Sequence, residues 1–293
     1  MNPTARKSET QSVLKLSPTE AWKQRSREQW TADPCGAHVA SEHDFGSREY
    51  FDAIERYRYS EYAPWMREWT HNWMRGWTRE GVESDGPRVL EVGFGTGTDL
   101  LQFARAGAVV TGIDLTPRSV EIARQRFAVY GYEAELLVGD GESLPFPQNA
   151  FDIVYSFGVL HHTPDTRGGV RELYRVLRPG GRALVMLYNR GSLYYWIGLM
   201  LKRGVLRGEL IRHTPREIMS RYVEFSEHAA NPLVKAYTRR EVKRLFSDFR
   251  DVRIEVNQLT RAELKSVGRV LPEPIFQWLA RAFGWNLIIT ATK

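Results

Sequence analysis

The run Arg88-Val89-Leu90-Glu91-Val92-Gly93-Phe94-Gly95-Thr96-Gly97-Thr98-Asp99 constrains this chain more than any other stretch. A short apolar segment ends in an acid, alternating glycines follow, and Leu100-Leu101-Gln102-Phe103-Ala104 then has helical character. Strand, tight turn and helix are predicted. Glycine in such a turn adopts conformations closed to other residues and lets the main chain approach a bulky ligand. The spacing is Glu-x-Gly-x-Gly-x-Gly. A dinucleotide fingerprint, Gly-x-Gly-x-x-Gly, would want its third glycine at position 98, where Thr98 stands.

On either side the chain supplies the elements such a turn requires. Strands are predicted over 89–92, 109–114, 134–138, 151–156 and 182–187, with helices over about 99–106, 116–131 and 165–177 between them. Thr116-Pro117 opens one helix as cap and first-turn proline, and Arg178-Pro179-Gly180-Gly181 stops another. This alternation implies a parallel sheet with helices on both faces and ligands at the carboxyl ends of the strands. Two further strands are expected over 252–256 and 286–292.

Residues 1–16 are polar and aperiodic, and read as a mobile tail. Residues 17–86 read as a helical cap: Ser17-Pro18-Thr19-Glu20 has the pattern of a capping box, and a second helix starts at Ser47. An aromatic series, Tyr57, Tyr59, Tyr62, Trp65, Trp69, Trp73 and Trp77, leads to the glycine run. Its rings either pack on the core or line an apolar acceptor pocket. Residues 189–237 interrupt the alternation with Tyr194-Tyr195-Trp196-Ile197-Gly198-Leu199-Met200-Leu201-Lys202-Arg203, an apolar, aromatic segment with basic flanks that suits a lid or an interfacial helix.

Composition limits the function classes. With 293 residues, 42% apolar and 26% charged, there is material for one large domain with additions. A net charge of +6 permits an anionic partner without pointing to nucleic acid. The one cysteine, Cys35, excludes an internal disulfide and fits a reducing compartment. It has no basic neighbour in sequence that would make it a nucleophile. No secretory signal or apolar run of spanning length is visible, so a cytoplasmic protein is expected, with peripheral membrane contact left open.

Taken together, the run from Glu91 to Gly97, the acid Asp114 at the end of the second strand, Asp140-Gly141-Glu142 followed by Leu144-Pro145-Phe146, Phe151-Asp152-Ile153-Val154, Leu160-His161-His162 and Leu177-Arg178-Pro179-Gly180-Gly181 resemble the class I S-adenosylmethionine-dependent methyltransferases, in particular their menaquinone/ubiquinone-type branch. The resemblance covers about residues 87–190. It implies a Rossmann-like, seven-stranded, mostly parallel sheet with an antiparallel last strand beside strand five. It also implies S-adenosylmethionine as the cofactor; no carboxylate cluster with metal-ligand spacing is evident in the sequence, so no metal is expected. On it, Glu91, Gly93, Gly95, Gly97 and Thr98 would face the methionine and ribose part, and Asp114 with Leu115 the ribose. Asp140, Gly141 and Glu142 would face the adenine, with Ser156 at the end of strand four beside them. From the residues alone, the alternatives are that Asp114 caps the following helix and that Asp140 is a turn aspartate.

The implied reaction is direct displacement at an activated methyl, in which the protein mainly has to align the reactants. A base is needed only where the acceptor must lose a proton. His161 and His162 are the candidates, against helix-cap or packing roles; as neighbours on a loop they are poorly placed to chelate one ion. Tyr57, Tyr188 and Trp196 are candidate acceptor contacts. After strand four the chain reads Tyr155-Ser156-Phe157-Gly158, without the Asn/Asp-Pro-Pro-aromatic pattern of many nucleobase and glutamine methyltransferases. A small apolar or aromatic acceptor is therefore expected, with a lipid-like or anionic one as the alternative and an RNA-modifying role as the most distant.

Overall fold

The structure, a computed structural model, describes residues 16–66, 86–224, 231–261, 264 and 270–293. The tail through residue 15 and Trp69, Trp73 and Trp77 lie outside the described residues. Strands β1 (Arg88–Val92), β2 (Val109–Asp114), β3 (Glu135–Val138), β4 (Phe151–Phe157), β5 (Leu177–Asn189), β7 (Arg250–Asn257) and β8 (Asn286–Thr292) run in the order β3-β2-β1-β4-β5-β8-β7. The short β6 (Ala236–Tyr237) pairs with β5 off this path. β1 to β5 are parallel, and β8 is antiparallel to both β5 and β7, as the resemblance implies.

Successive residues of the central strands serve opposite faces of the sheet. Leu90, Val92 and Val154 join one apolar cluster with Leu173, Val176 and Phe246. Val89, Ile153 and Tyr155 join another with Leu100, Leu101, Phe103 and Phe127. Burial on both faces is why these strands read as continuous apolar runs. Helices α3 (Thr98–Arg105), α4 (Pro117–Tyr130) and α5 (Thr166–Val176) follow β1, β2 and β4. The order of strands reverses between β1 and β4, and a crevice opens there at their carboxyl ends.

Strand five is longer than the sequence predicts. Helix α5 does end at Val176, but β5 starts at Leu177, with its pairing shifted between Phe151 and Ile153. Gly180 takes φ 78°, and its N–H bonds Lys293 O at 3.0 Å, so the Pro-Gly-Gly turn stays within the sheet.

Two additions flank the crevice. Before the sheet come α1 (Pro18–Ala32) and α2 (Arg48–Arg56), the second prolonged by a wide turn over Tyr57–Tyr62. Ser17 caps α1 by accepting from Glu20 N, and Phe51 and Ile54 of α2 pack with Ile122 of α4. After β5 come the wide helix α6 (Tyr194–Val205) and α7 (Pro215–Tyr222). Tyr195, Leu199 and Met200 of α6 pack with Met186, Tyr188 and Trp285. The last helices are α8 (Arg239–Leu245), opened by a reciprocal cap between Thr238 and Glu241, and α9 (Glu273–Phe283). Among the described residues no helix is long and apolar enough to cross a membrane.

Candidate active site

The glycine turn has the backbone its spacing demands. Gly93, Gly95 and Gly97 sit at φ 76°, 55° and 73°, the left-handed region that disfavours a Cβ. At Gly93 space is decisive as well, because a Cβ would lie 2.2 Å from Val159 Cγ2. The turn is held from below by Arg126 of α4, fully buried, whose Nε–H bonds Thr96 O at 2.8 Å. It is held from the side by Asp114, whose Oδ2 accepts from Gly95 N at 3.0 Å. The other oxygen, Oδ1, takes Thr116 N at 2.9 Å and Thr116 Oγ1 at 3.0 Å. The cap of α4 is Thr116 itself, so Asp114 is not the capping residue. Burial pushes the Asp114 carboxyl above its ordinary value, against the hydrogen bonds that favour its charge.

One cavity of about 310 Å³ extends from this turn into the molecule. Glu91, Gly93, Gly95, Thr98, Asp114, Leu115, Asp140 and Gly141 line it at the turn. Glu91 is 3% exposed and its Oε2 has no hydrogen-bond partner among the described residues. Burial, and the charge of Asp99 after it, raise its carboxyl well above the usual range. At the mouth, Lys23 of α1 bonds Asp140 Oδ2 at 2.5 Å and Glu142 Oε2 at 2.7 Å. Burial opposes that ammonium, but the two carboxylates outweigh it and raise its pKa.

The far end is aromatic. Trp30, Tyr57, Tyr62, Phe157 and Tyr188 line it, with Met186, Cys35, Arg58, His162 and Glu224. Tyr188 donates its hydroxyl to Glu224, and His162 Nε2 lies 3.6 Å from the same Glu224 oxygen. His162 Nδ1 pairs with Leu233 O at 2.8 Å, which fixes the tautomer and leaves Nε2 as the basic nitrogen. Burial lowers the His162 pKa while Glu224 raises it, and the net shift is downward. The Cys35 side chain is exposed and lines the cavity, where desolvation by the surrounding protein pushes its thiol up to about 11, so it is a neutral thiol. Arg58 is fixed by Asp99 at 3.2 and 2.5 Å, and Tyr59 and Tyr155 also donate to that carboxylate. Burial opposes the Asp99 charge, but Arg58 and the hydrogen bonds prevail and hold its pKa down.

Compared with known proteins, residues 90–185 match a family described as methyltransferase domain. The chain is 39% identical over 113 residues to the malonyl-acyl-carrier-protein O-methyltransferase of Serratia marcescens, covering 39% of this chain and 43% of that protein. It is 40% identical over 105 residues to the demethylmenaquinone methyltransferase of Tropheryma whipplei, covering 36% and 43%. The matched segment thus spans under half the length of these relatives. In fold, the chain superposes on the 4+2 cyclase SpnF with a TM-score of 0.56 at 19% identity, over 92% of this chain and 96% of that one. The chain carries a class I S-adenosylmethionine-dependent methyltransferase domain.

The donor end of this methyltransferase domain suits that cofactor. Glu91 lines the cavity with one oxygen unpartnered among the described residues, and at Gly95 a Cβ would meet nothing nearer than Cys35 Cβ at 4.0 Å, which leaves room for a ligand against the main chain. Not every predicted contact lines the cavity. Gly97 is packed against Ala123, and Ser156, fully buried, donates to Val92 O at 3.1 Å beneath the floor. Glu142 points to Lys23 and to Asp165 N, away from the cavity.

The acceptor candidates divide likewise. Tyr57, Tyr188 and His162 line the cavity. His161 lies behind, its ring 3.8 Å from that of Tyr188 between centroids, and burial and then His162 hold its pKa well below the ordinary value. Trp196 is a correction. It is 58% exposed, because α6 turns its neighbour Tyr195 inward and Trp196 to the outside. His161, His162 and Glu224 bring one ligand-capable atom each within 4.8 Å, although protein groups already occupy His162 and Glu224. Lys23, Trp30, Arg58 and Glu224 were missed by the sequence reading. Their partners lie 41 to 117 residues away along the chain for Arg58 and Lys23, and no local pattern marks them.

Proposed function

We propose that this chain transfers the methyl group of S-adenosylmethionine to a small, largely apolar or aromatic acceptor by in-line displacement. The observation that carries the reading is the continuity of one cavity between the glycine turn, with Glu91, Asp114 and Asp140, and the aromatic end at Trp30, Tyr62, Phe157 and Tyr188. Bound there, the cofactor supplies a methyl already activated by its sulfonium charge. Asp114 takes one ribose hydroxyl, Asp140 the adenine, and Glu91 the cationic part. The rings at the far end hold the acceptor flat and exclude water, which keeps nucleophile and methyl in line. Where the acceptor must lose a proton, His162 takes it at Nε2, with Glu224 stabilising the imidazolium. Of the named relatives, one is a malonyl-acyl-carrier-protein O-methyltransferase and the other a demethylmenaquinone methyltransferase, and the second supports a small-molecule acceptor.

The test is transfer of label. The purified chain is incubated with methyl-labelled cofactor and separately with a metabolite extract, total tRNA and bulk protein. Label passing into an organic-extractable small molecule is expected. Label that enters only RNA or protein would refute the acceptor class.

A further inference from the structure

Helix α6 is apolar on both sides, and only one side is packed. Tyr195, Leu199 and Met200 face inward. Trp196 and the adjacent Ile197 face outward, Leu201 follows four or five residues on and Val205 four beyond that, each step one turn of a helix as wide as this one. The bare face continues through Leu206, at 72% exposure, to Ile211, at 86%. A run of this kind on a protein surface marks a contact with something apolar.

The charges around it say what that something is. Lys202, Arg203, Arg207 and Arg212 lie in the same stretch, which holds a single acid, Glu209. None of the four has an ion-pair partner among the described residues, whereas Glu209 is engaged by His213 at 3.6 Å and by the Tyr222 hydroxyl at 2.7 Å. Beside the bare face is a cavity of about 250 Å³ lined by Tyr194, Gly198, Lys202, Arg203, Arg207 and Tyr222, with the Arg203 guanidinium 4.3 Å above the Tyr222 ring. Apolar side chains, an outward tryptophan and cations without ion-pair partners among the described residues, all on one surface, match the layered chemistry of a bilayer interface. A second copy of this chain would cover the apolar face but leave the cations facing their like.

We propose that the outward face of α6 docks on an anionic membrane surface, with Trp196, Ile197, Leu201 and Val205 in the acyl boundary and Lys202, Arg203 and Arg207 against lipid phosphates. This surface is separate from the cavity and does not depend on which acceptor the cavity takes.

The experiment is co-sedimentation of the full chain with phosphatidylcholine vesicles, with and without phosphatidylserine, at physiological salt. Pelleting only with the phosphatidylserine vesicles is expected. Lys202→Ala with Arg207→Ala should weaken it by about 25-fold, from about fivefold per cation near such a surface. Trp196→Ser with Leu201→Ser should abolish it while leaving the melting temperature unchanged. No pelleting with either vesicle overturns the proposal, as does equal pelleting with both. So does binding that the variants leave intact, or self-association without vesicles that Trp196→Ser removes, which would mean that a second copy covers the face.

Discussion

Replacing Asp114 by alanine tests the donor end most directly, and the structure limits how large the effect can be. A carboxylate offers about four lone-pair positions. Gly95 N, Thr116 N and Thr116 Oγ1 already occupy three. One remains for the ribose, so the cofactor gains a single charge-assisted hydrogen bond there, worth roughly 1.5–3 kcal/mol. That is about 10- to 160-fold in affinity. Alanine also removes the three bonds that hold the loop, so a weaker affinity alone would not locate the contact. Calorimetry with S-adenosylhomocysteine and its 2′,3′-dideoxy analogue separates the two effects, because loop damage weakens both ligands while the ribose contact exists only in one. The wild-type chain should prefer the complete ligand by about 10- to 160-fold, and Asp114→Ala should bind the two nearly equally. A folded Asp114→Ala chain that still discriminates as strongly as wild type would show that Asp114 does not hold the ribose.

Three further outcomes follow from the same geometry. If His162 is the base, the acid limb of kcat lies below pH 6.5, since burial depresses its pKa, and Glu224→Gln moves the limb lower still by removing the charge that raises it; a limb shifted upward refutes the pairing. His161 stays neutral in the fold, so below pH 6.5 the unfolded chain binds a proton that the folded chain does not. Stability should then fall with decreasing pH by up to about 1.4 kcal/mol per pH unit for this group, and urea titrations of His161→Asn should show a shallower decline. Gly93→Ala should cost about 1–2 kcal/mol for its left-handed backbone and about 1–3 kcal/mol for the collision with Val159; adding Val159→Ala should recover only the second part, and full recovery would mean that the φ of 76° carries no strain.

The glycine turn and the strand ends beside it were legible because their signals are local. Gly93, Gly95 and Gly97 are required by backbone angles within one turn, and Asp114 closes a strand whose apolar pattern is itself readable. Alternation of strands and helices then fixed the parallel order, and the capping pair Thr238 and Glu241 was plain from four residues. Strand β5 was read too short because Pro179, Gly180 and Gly181 signal a break, whereas here a bulge keeps them in the ladder. The acceptor side was harder. Whether α6 turns Tyr195 or Trp196 inward depends on the pitch of a wide helix and on which neighbours it meets, and a period of 3.6 does not reveal either. Histidine pairs likewise look equivalent in sequence, yet one lines the cavity and the other lies behind Tyr188.

Asp99 explains why the two ends of the cavity cannot be considered separately. It stands in the first turn of α3, directly after the glycines, and its carboxylate collects Arg58 and Tyr59 from the segment after α2 and Tyr155 from β4. A buried carboxylate needs this many partners, and removing one from such a group typically costs about 3–5 kcal/mol. The same bonds fix Arg58, which lies over Phe157 at 4.3 Å and lines the acceptor end. Lys23 makes a second tie from α1 to Asp140 and Glu142. The residues before the sheet are thus fastened at two points, one to Asp99 just after the glycine turn and one to the loop after β3 at the cavity mouth. The position of the aromatic wall is therefore set by groups of the donor site, and a change that loosens Asp99 should disturb acceptor and cofactor binding together.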